Sequence, residues 1–365
     1  IEEKKITLLG PKASIGNFFF GPLYYYLLLP AVLVGNFDPL SGAVMTVSLD
    51  IIALILFALL NKKILSWPGS LMATLLYATL PLLINLVKIP LNPFVTPIFS
   101  VIFFWLLSLS PTRYALRTSL GLGFVSGLLF QLHFSTLPLL VVGLFWQLRT
   151  TTRLYSLFGY LTGFAFGILP MILFEFRHQF FNFNQVVSYF SHPRINPGLS
   201  EHYFIYLLPA LFLLTAKIIS IFPKFLQLAT ALVIFLVNLY MNFKPINNGY
   251  LMPQGWNLTG VRVAASVIAA DNPPTKFEVA ATLDGDTRAL PYRYILESHY
   301  KLKPLSVEAY PQAQVLYVVT RDQADTIVTN QVWEISSIMP AKVTKTWTIQ
   351  NGILLHRIEK IINKK

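Results

Sequence analysis

The chain has 365 residues, of which 55% are hydrophobic and only 12% are charged, and its mean hydropathy is +0.59. Soluble globular domains carry about a quarter of charged residues, so this composition indicates a chain that lies mostly in lipid. No cysteine is present, which excludes disulfides, thiolate metal sites and cysteine nucleophiles. The formal charge of +12 would suit nucleic acid, but the basic residues fall in short loops between apolar segments and at both ends. We therefore exclude nucleic acid as a partner and expect these charges to set topology and meet anionic headgroups.

The segment "GPLYYYLLLP" places three tyrosines, Tyr24, Tyr25 and Tyr26, at the edge of an apolar helix. Tyrosine favours the headgroup level of a bilayer, so we expect residues 22–34 to lie along the outer interface as an amphipathic helix. Interfacial packing explains one or two of the tyrosines, and the third suggests that part of the helix lines a groove. Residues 1–40 are therefore predicted to form an external loop with an interfacial helix.

Residues 41–243 are predicted to form a transmembrane helical core. Six apolar stretches in it are long enough to cross about 30 Å of hydrocarbon. A shorter pair is interrupted at "QLHFSTLP", which predicts a bent hairpin whose polar tip is buried in protein or faces a cavity. The small residues of "GLGFVSG" in this pair predict close helix packing. The six stretches are 41–60, 70–87, 97–110, 154–174, 204–221 and 225–242, and the pair is 118–132 and 136–148.

Pairs of lysine and arginine follow every second apolar segment, and the loops between them are poor in both residues. This alternation is the positive-inside pattern and places the paired charges in the cytoplasm. The N-terminal stretch, the loops 88–96 and 175–203, and everything after residue 243 are then predicted to lie outside. The pairs are Lys62 with Lys63, Arg113 with Arg117, Arg149 with Arg153, and Lys217 with Lys224.

After residue 243 the composition changes, and residues 244–365 are predicted to form an extracytoplasmic α/β domain. Its first part, 244–256, is rich in Pro, Asn and Gly and is predicted to be a linker. The fold class predicted for the whole chain is mainly α, a polytopic helical membrane protein with a C-terminal extracytoplasmic α/β domain. Strands are predicted at 277–283, 315–320, 342–349 and 352–360, and helices at 291–300 and around 322–334.

The predicted external loops hold the candidate site residues. In "LFEFRHQFFNFNQVV", Glu175, Arg177 and His178 offer an acid, a permanent cation and an imidazole, which could bind a phosphate and move a proton. The alternative is that Arg177 and His178 only anchor the helix end at headgroups. Glu175 lies inside the apolar register, where a carboxylate is costly without a partner.

Three other places complete the candidate set. His133 lies at the tip of the predicted hairpin, and the alternative for it is a histidine that is hydrogen-bonded between helices. Lys88 and Asn92, in "VKIPLNPFVTP", form a further group. Tyr24 and Tyr25 are candidates for an aromatic wall, since polyprenyl chains and sugars both favour such surfaces.

Together, "ITLLGPKASIGNFFFGPLYYYLLLP", a span ending in "NKK", "FQLHFSTLP" and "FEFRHQFFN" resemble segments of the polytopic C-type glycosyltransferases. This superfamily includes the protein O-mannosyltransferases and the lipid A aminoarabinose transferase, and the chain is most similar to bacterial members described as family 39 or RgtA-like. The resemblance covers roughly residues 5 to 240. Many relatives also carry an external domain after the last span.

The resemblance implies a membrane enzyme that transfers a sugar from a polyprenyl-phosphate donor to a lipid, glycan or protein acceptor on the outer face. A carboxylate in the first external loop would deprotonate the acceptor hydroxyl, in an inverting transfer with lipid phosphate leaving. We expect that carboxylate to precede residue 1 in a longer chain, and Glu2 and Glu3 are not assigned its role. No cofactor is required, and a divalent metal stays open. The protein would be an integral protein of a bacterial plasma membrane, with the C-terminal domain outside. The substrate-binding residues would be Tyr24, Tyr25, Lys88, His133, Glu175, Arg177 and His178.

Two other classes of function are compatible with the same topology. A transporter or flippase predicts charged residues at mid-membrane and broken helices in matched halves of the chain. By sequence only the 118–148 hairpin meets this description, and nothing mirrors it. A non-catalytic scaffold of envelope glycan assembly, or a related ligase that joins sugar chains, would need no carboxylate near Arg177.

Overall fold

The computed structural model describes residues 6–14, 16–109, 115–149, 153–191, 201–243, 255–283 and 287–361. The described part is mainly helical and contains one small sheet. The chain divides into two compact units, Ile1–Lys244 and Pro245–Lys365. The expectations for Glu2, Glu3 and Arg113, and most of the predicted linker 244–256, lie outside the described residues.

The described part of the first unit is built mainly from helices. Four short 3₁₀ segments accompany them, at Asn92–Val95, Phe134–Thr136, Glu201–Tyr203 and Ile205–Leu207. The helices are α1 (Leu23–Val34), α2 (Leu40–Ile64), α3 (Trp67–Thr79), α4 (Pro81–Leu86), α5 (Thr96–Ser108), α6 (Ala115–Leu132), α7 (Leu137–Gln147), α8 (Arg153–Gly167), α9 (Leu169–Arg177), α10 (Phe181–Ser191), α11 (Leu208–Ile219) and α12 (Lys224–Phe243).

Three helical stretches are long and apolar enough to cross a membrane, judged by length and composition. They are Leu40–Ile64, Trp67–Leu86 and Lys224–Phe243, and α8 with α9 would be a fourth if the bent pair counts as one span. The three correspond to the apolar stretches predicted at 41–60, 70–87 and 225–242. This finding is consistent with membrane association.

The span predicted at 154–174 is not one straight helix. Helices α8 and α9 meet at an angle of 66° around Ile168. Pro170 explains the break, because its nitrogen cannot donate to the carbonyl of Phe166 and its ring would clash with that carbonyl in a continuous helix. The period of apolar residues runs through the break unchanged, which is why hydrophobicity alone missed it.

Two other predicted spans are shorter than expected. The stretch 97–110 forms the 13 residues of α5, and the stretch 204–221 forms the 12 residues of α11. At 1.5 Å per residue these helices are only about 18 to 20 Å long, against a hydrocarbon thickness of about 30 Å. A proline near the start, Pro97 or Pro209, suits the first turn of each helix and follows a 3₁₀ segment.

Helices α6 and α8 pack with their backbones in contact. The α-carbon of Gly127 lies against that of Gly167, so a methyl group on Gly127 would come within 2.7 Å of it. Gly123 and Gly163 likewise face main-chain carbonyls of the other helix, those of Tyr160 and Leu120. This packing confirms the prediction from "GLGFVSG" and shows that its partner is a second small-residue stripe on α8.

The second unit is a four-stranded sheet covered on both faces. Strands β1 and β2 are parallel, and the remaining pairs are antiparallel, in the order β1-β2-β4-β3. Side chains of β2 alternate between a core under α13 and α14 and a core on the opposite face. The elements are α13 (Leu258–Ala270), β1 (Phe277–Ala281), α14 (Leu290–Tyr300), a 3₁₀ segment (Val307–Gln312), β2 (Val315–Thr320), α15 (Ala324–Ile327), α16 (Trp333–Ser336), β3 (Ala341–Gln350) and β4 (Ile353–Lys360).

The four predicted strands and the helix predicted at 291–300 are confirmed. The helix predicted around 322–334 is instead the two four-residue helices α15 and α16. Helix α13 was not predicted, although Asn257 marks its start by accepting a hydrogen bond from the backbone of Gly260 at 3.1 Å. That contact is the N-cap interaction expected of asparagine.

Candidate functional site

An N-terminal hairpin forms one wall of the candidate site. Its two arms, within residues 10–20, are joined by main-chain hydrogen bonds from Gly10 to Phe20, from Phe20 to Pro11 and from Ala13 to Phe18. Phe18 and Phe20 are buried. Phe18 stacks on the ring of Phe134, and Phe20 meets the same ring edge-on; Phe134 lies just after the end of α6. The hairpin thus carries an aromatic surface toward the tip of the α6–α7 turn.

Two side-chain amides attach this hairpin to the helices. Asn182, on α10, accepts from the amide of Phe19 at 2.6 Å and donates to its carbonyl at 3.1 Å. Gln131, near the end of α6, accepts from the amide of Leu23 through its side chain and from Gly21 through its main chain. Both anchors are buried, so the hairpin, α1, α6 and α10 meet at one place.

His133 lies at this meeting point and is buried, with 8% of its surface exposed. Its ring stacks on Phe20 at 4.9 Å between centroids, with His202 at 5.7 Å and Tyr203 at 5.5 Å. His202 and Tyr203 lie in the 3₁₀ segment Glu201–Tyr203, which precedes α11, so this segment also packs against His133. We call Phe20, His133, His202 and Tyr203 the imidazole cluster.

The hydrogen bonds of His133 fix the position of its proton. The Nδ1 atom accepts from the amide of Ser135 at 3.2 Å, and the Ser135 hydroxyl lies 2.8 Å from the same atom. A neutral ring with an accepting Nδ1 carries its proton on Nε2. Burial, together with the nearby charge of His202, lowers the pKa of His133 to about 4. At neutral pH this ring is therefore an uncharged donor, and within the described residues its Nε2–H has no acceptor.

The loop 88–96 reaches the same end of the unit. The side chain of Asn92 donates to the carbonyl of Leu132 at 2.5 Å, directly before His133. The phenol of Tyr24 donates to the carbonyl of Pro90. Four segments that the charge pattern predicts to be external are therefore in contact here: the N-terminal stretch, the loop 88–96, the α6–α7 tip and parts of 175–203.

The three tyrosines that open α1 have three different surroundings. Tyr24 is buried, and its phenol binds Pro90. Tyr26 donates to the carbonyl of Thr7, which ties α1 to the segment before the hairpin. Tyr25 and Tyr26 are 39% and 37% exposed, and among the described residues the structure gives Tyr25 no hydrogen bond like those of Tyr24 and Tyr26. Lys88 is exposed as well, with its Nζ 3.4 Å from the Asn85 side-chain oxygen.

Glu175, Arg177 and His178 do not converge on one point. Glu175 accepts from the amide of Phe183 at 3.1 Å, so one carboxylate oxygen caps the first turn of α10. His178 turns back to donate from Nδ1 to the Phe174 carbonyl at 2.9 Å, and its ring stacks on that of Phe174. Arg177 is exposed. Among the described residues no ion pair joins Arg177 and Glu175.

Several residues of this region were not predicted. His202, Tyr203 and Asn182 carried no local signal, since each acts on a residue more than sixty positions away. Gln131 marked the break in the apolar run, but its partners were not predicted. Within the described ranges no group of three His, Asp or Glu side chains could hold a metal ion. Comparison with known proteins gives no match: no family model fits the chain, and no curated protein or solved structure is similar to it.

Proposed function

We propose that this chain is an integral membrane glycosyltransferase that moves a sugar from a polyprenyl-phosphate donor to an acceptor on the outer face of the membrane. The observation that carries the proposal is the Nε2–H donor of His133, neutral and buried among aromatic rings where four predicted external segments meet. A preorganised donor among aromatic rings is suited to stabilise a departing phosphate oxygen.

Contacts at the other end of the unit support the membrane topology behind this proposal. Gly69, at the start of α3, lies near the carbonyl of Ala216, at the end of α11. These positions follow Lys62 and Lys63 and precede Lys217 in sequence. The hydroxyl of Ser119 is bonded to Gln147 at 2.6 Å, beside Arg117 and Arg149. Helix ends next to the predicted cytoplasmic loops therefore lie together in pairs, α3 with α11 and α6 with α7, which is consistent with the positive-inside pattern.

The proposed reaction is a direct displacement at the anomeric carbon. The acceptor hydroxyl oxygen attacks that carbon, the bond from carbon to phosphate oxygen breaks, and polyprenyl phosphate leaves with the electron pair. His133 donates a hydrogen bond to the phosphate, while Phe20 and Tyr203 offer ring faces to the sugar or prenyl chain. The acceptor proton passes to a carboxylate base, which we do not assign among the described residues. Exposed Arg177 and Tyr25 would meet the donor where it enters from the lipid, with Lys88 and His178 as further contacts.

A transporter or flippase is the second candidate, because two observations favour it. The α8–α9 pair is a broken helix, and α2 carries a carboxyl, Asp50, in the middle of a candidate span. Transporters use both features. The two functions differ in product: a flippase moves the intact sugar lipid, whereas a transferase releases polyprenyl phosphate.

The test uses the full-length protein in lipid nanodiscs with radiolabelled polyprenyl-phosphate sugars, and it measures release of polyprenyl phosphate. His133→Phe keeps the ring and its stacking but removes the donor, so turnover should fall about 10²-fold or more. His133→Gln keeps a donor and should retain more activity. His299→Phe, at an exposed position of the second unit, is the control. Full turnover by His133→Phe would refute the assignment of this donor.

Two further variants separate the roles of the residues near α9. Arg177→Ala and His178→Ala should raise the donor concentration needed for half-maximal rate if these side chains meet the donor headgroup. Unchanged kinetics would leave both as anchors of the helix end at lipid headgroups. Movement of intact sugar lipid between leaflets, without release of polyprenyl phosphate, would favour the flippase reading instead.

A further inference from the structure

Helix α2 carries one carboxyl in the middle of its length. Asp50 is about 15 Å along the axis from Leu40 and about 21 Å from Ile64, at 1.5 Å per residue. Asp50 is the single Asp or Glu in the three stretches that are long enough to cross a membrane, and the structure describes every residue of those stretches. A carboxyl at this depth is costly and marks a functional position more often than a structural one.

Tyr77 is the partner of this carboxyl. Its phenol donates to Oδ1 of Asp50 at 2.7 Å from α3, across the α2–α3 contact. The Tyr77 ring is 1% exposed and is held between Phe57 at 5.2 Å and Phe212 at 5.8 Å, measured between ring centroids. The donor is thus fixed by packing from three helices, and its position does not depend on the carboxyl that it binds.

The second oxygen of Asp50 is not satisfied in the same way. Within the described residues Oδ2 forms no hydrogen bond, and Asp50 is half-buried, so this oxygen is not sealed inside the unit. The nearest hydroxyl along the same face of α2, that of Thr46, is committed to the carbonyls of Gly42 and Ala43. A metal cation would need several more oxygen ligands than this place offers. The ligand that one open carboxyl oxygen can hold is a proton.

The groups around Asp50 leave it without a compensating charge. Helix α2 packs against α1, α3, α5 and the 3₁₀ segment before α5. Tyr77 is the titratable group on α3, and neither α5 nor that segment carries one. The tyrosines of α1 lie at its first turn, where Tyr24 binds Pro90. Pro90 packs on Gly42, about two turns of α2 away from Asp50, so these tyrosines are distant from the carboxyl.

We propose that Asp50 and Tyr77 form a proton-binding site inside the helical core, in which Oδ1 accepts from the Tyr77 phenol and Oδ2 carries an exchangeable proton. The low-dielectric surroundings favour the neutral acid, because an isolated carboxylate there lacks both water and a cation. The proposal concerns α2 and α3 alone and is independent of the transferase assignment, since it requires no sugar donor and no part of the imidazole cluster.

A hydrophobic carbodiimide tests the site, since it reacts with protonated carboxyls in apolar surroundings. The full chain in nanodiscs is treated with dicyclohexylcarbodiimide at several pH values, and adducts are located by peptide mass spectrometry. We expect an adduct on Asp50 that decreases at least tenfold as the pH rises, and none on that peptide in Asp50→Asn. A water-soluble carbodiimide should label the exposed Asp325 and leave Asp50 unmodified.

Tyr77→Phe keeps the packed ring and removes the donor. A hydrogen bond to the ionised carboxylate is stronger than one to the acid, so its loss should extend labelling of Asp50 to higher pH. A shift to lower pH would overturn the role given to Tyr77. Absence of an Asp50 adduct at every pH, or equal labelling by the water-soluble reagent, would overturn the proton site. Amide exchange of α2 and α3 establishes that each variant is folded.

Discussion

The side-chain amide of Asn182 forms hydrogen bonds with both the amide and the carbonyl of Phe19, a residue 163 positions earlier in the chain. An asparagine side chain reproduces here the two-sided pairing of a strand neighbour. Because Asn182 is only 2% exposed, water cannot replace these bonds without displacing the hairpin from α10. The N-terminal hairpin is therefore held on the imidazole cluster by a specific polar contact in addition to its phenylalanines.

Replacing Asn182 by leucine should release the hairpin. The change preserves volume but leaves two main-chain groups of Phe19 unpaired, which costs about 1 to 3 kcal/mol for each buried group. We expect faster amide exchange at Gly10, Ala13 and Phe20, measured by hydrogen-exchange mass spectrometry in nanodiscs. Asn184→Leu, on an exposed position of the same helix, should exchange at the wild-type rate. Equal protection in both variants would mean that the phenylalanines alone hold the hairpin.

The stability of the first unit should depend on pH through His133. Burial lowers the pKa of His133 to about 4, whereas an unfolded histidine titrates near 6.5. The unfolded state thus binds more protons between these values, so the stabilisation is complete above about pH 6.5 and is lost as the pH falls toward 4. The full difference is on the order of 3 kcal/mol.

Thermal unfolding at pH 7.5 and pH 5 measures this dependence. His133→Phe should reduce the loss of stability at pH 5, because the replacement ring does not titrate. Burial also lowers the pKa of His202, so part of the dependence should remain in that variant. His299→Phe should behave as the wild type. An undiminished pH dependence in His133→Phe would show that His133 is already solvated or charged in the folded state.

Apolar length and charge pattern predicted a large share of the first unit, because both are local properties of the sequence. The start of α2, both ends of α12 and the tip position of His133 follow directly from them, whereas α2 continues to Ile64, four residues beyond the predicted end. Partnerships between distant residues do not: His202 reaches His133 across 69 positions (202 − 133) and carries no motif. Asp50 is a different kind of omission, because a single carboxyl within an apolar run is visible in the sequence and was passed over.

The site residues divide in the same way. His133 was predicted from its place at a break in an apolar run, and the structure adds the Ser135 contact that sets its tautomer. The grouping of Glu175, Arg177 and His178 was inferred from sequence proximity. Neighbouring residues at a helix end point in different directions. The chain turns at Gln179 and Phe180, both of positive φ, and this turn brings the start of α10 against the Glu175 carboxylate. Residues that are close in sequence here therefore do not bring their side chains to one site.

The second unit should lose stability in acid through Asp271. Three donors meet this carboxylate at the end of α13: Tyr317 at 2.7 Å, Lys345 at 2.6 Å and Arg357 at 3.3 Å. Burial acts to raise the pKa of Asp271, but the hydrogen bonds from Lys345 and Tyr317 and the charge of Arg357 together lower it. A depressed pKa in the folded state contributes stability above the unfolded value near 3.9, and this is lost as the pH falls through the folded value.

Asp271→Asn should remove that contribution, because Lys345 and Arg357 lose their shared negative charge and the new amide NH2 replaces one of the two accepting oxygens with a donor. We expect a loss of about 1 to 3 kcal/mol, seen as faster amide exchange of β2 and β4 in the full chain at pH 7. Asp325→Asn, at an exposed position, should have no such effect. Wild-type protection of β2 in Asp271→Asn would mean that the sheet and α13 hold together by apolar packing alone.

A methyl group should be rejected at Gly163, where α8 touches α6, and tolerated at Gly121, which lies on α6 but faces α5. A Cβ on Gly163 would come within 2.9 Å of main-chain atoms of Leu120 and Phe124, which belong to α6 and cannot move aside as a flexible side chain does. A Cβ on Gly121 would meet only a Leu106 methyl at 3.7 Å, an ordinary contact.

Gly163→Ala should therefore lower stability by about 1 to 3 kcal/mol. Gly121→Ala should be neutral or raise it by up to about 1 kcal/mol, since alanine favours the helix. Thermal unfolding of both variants in one detergent measures the difference, and opposite signs are the expected result. Unchanged stability in Gly163→Ala would mean that the helices move apart readily and that the two small-residue stripes do not determine their spacing.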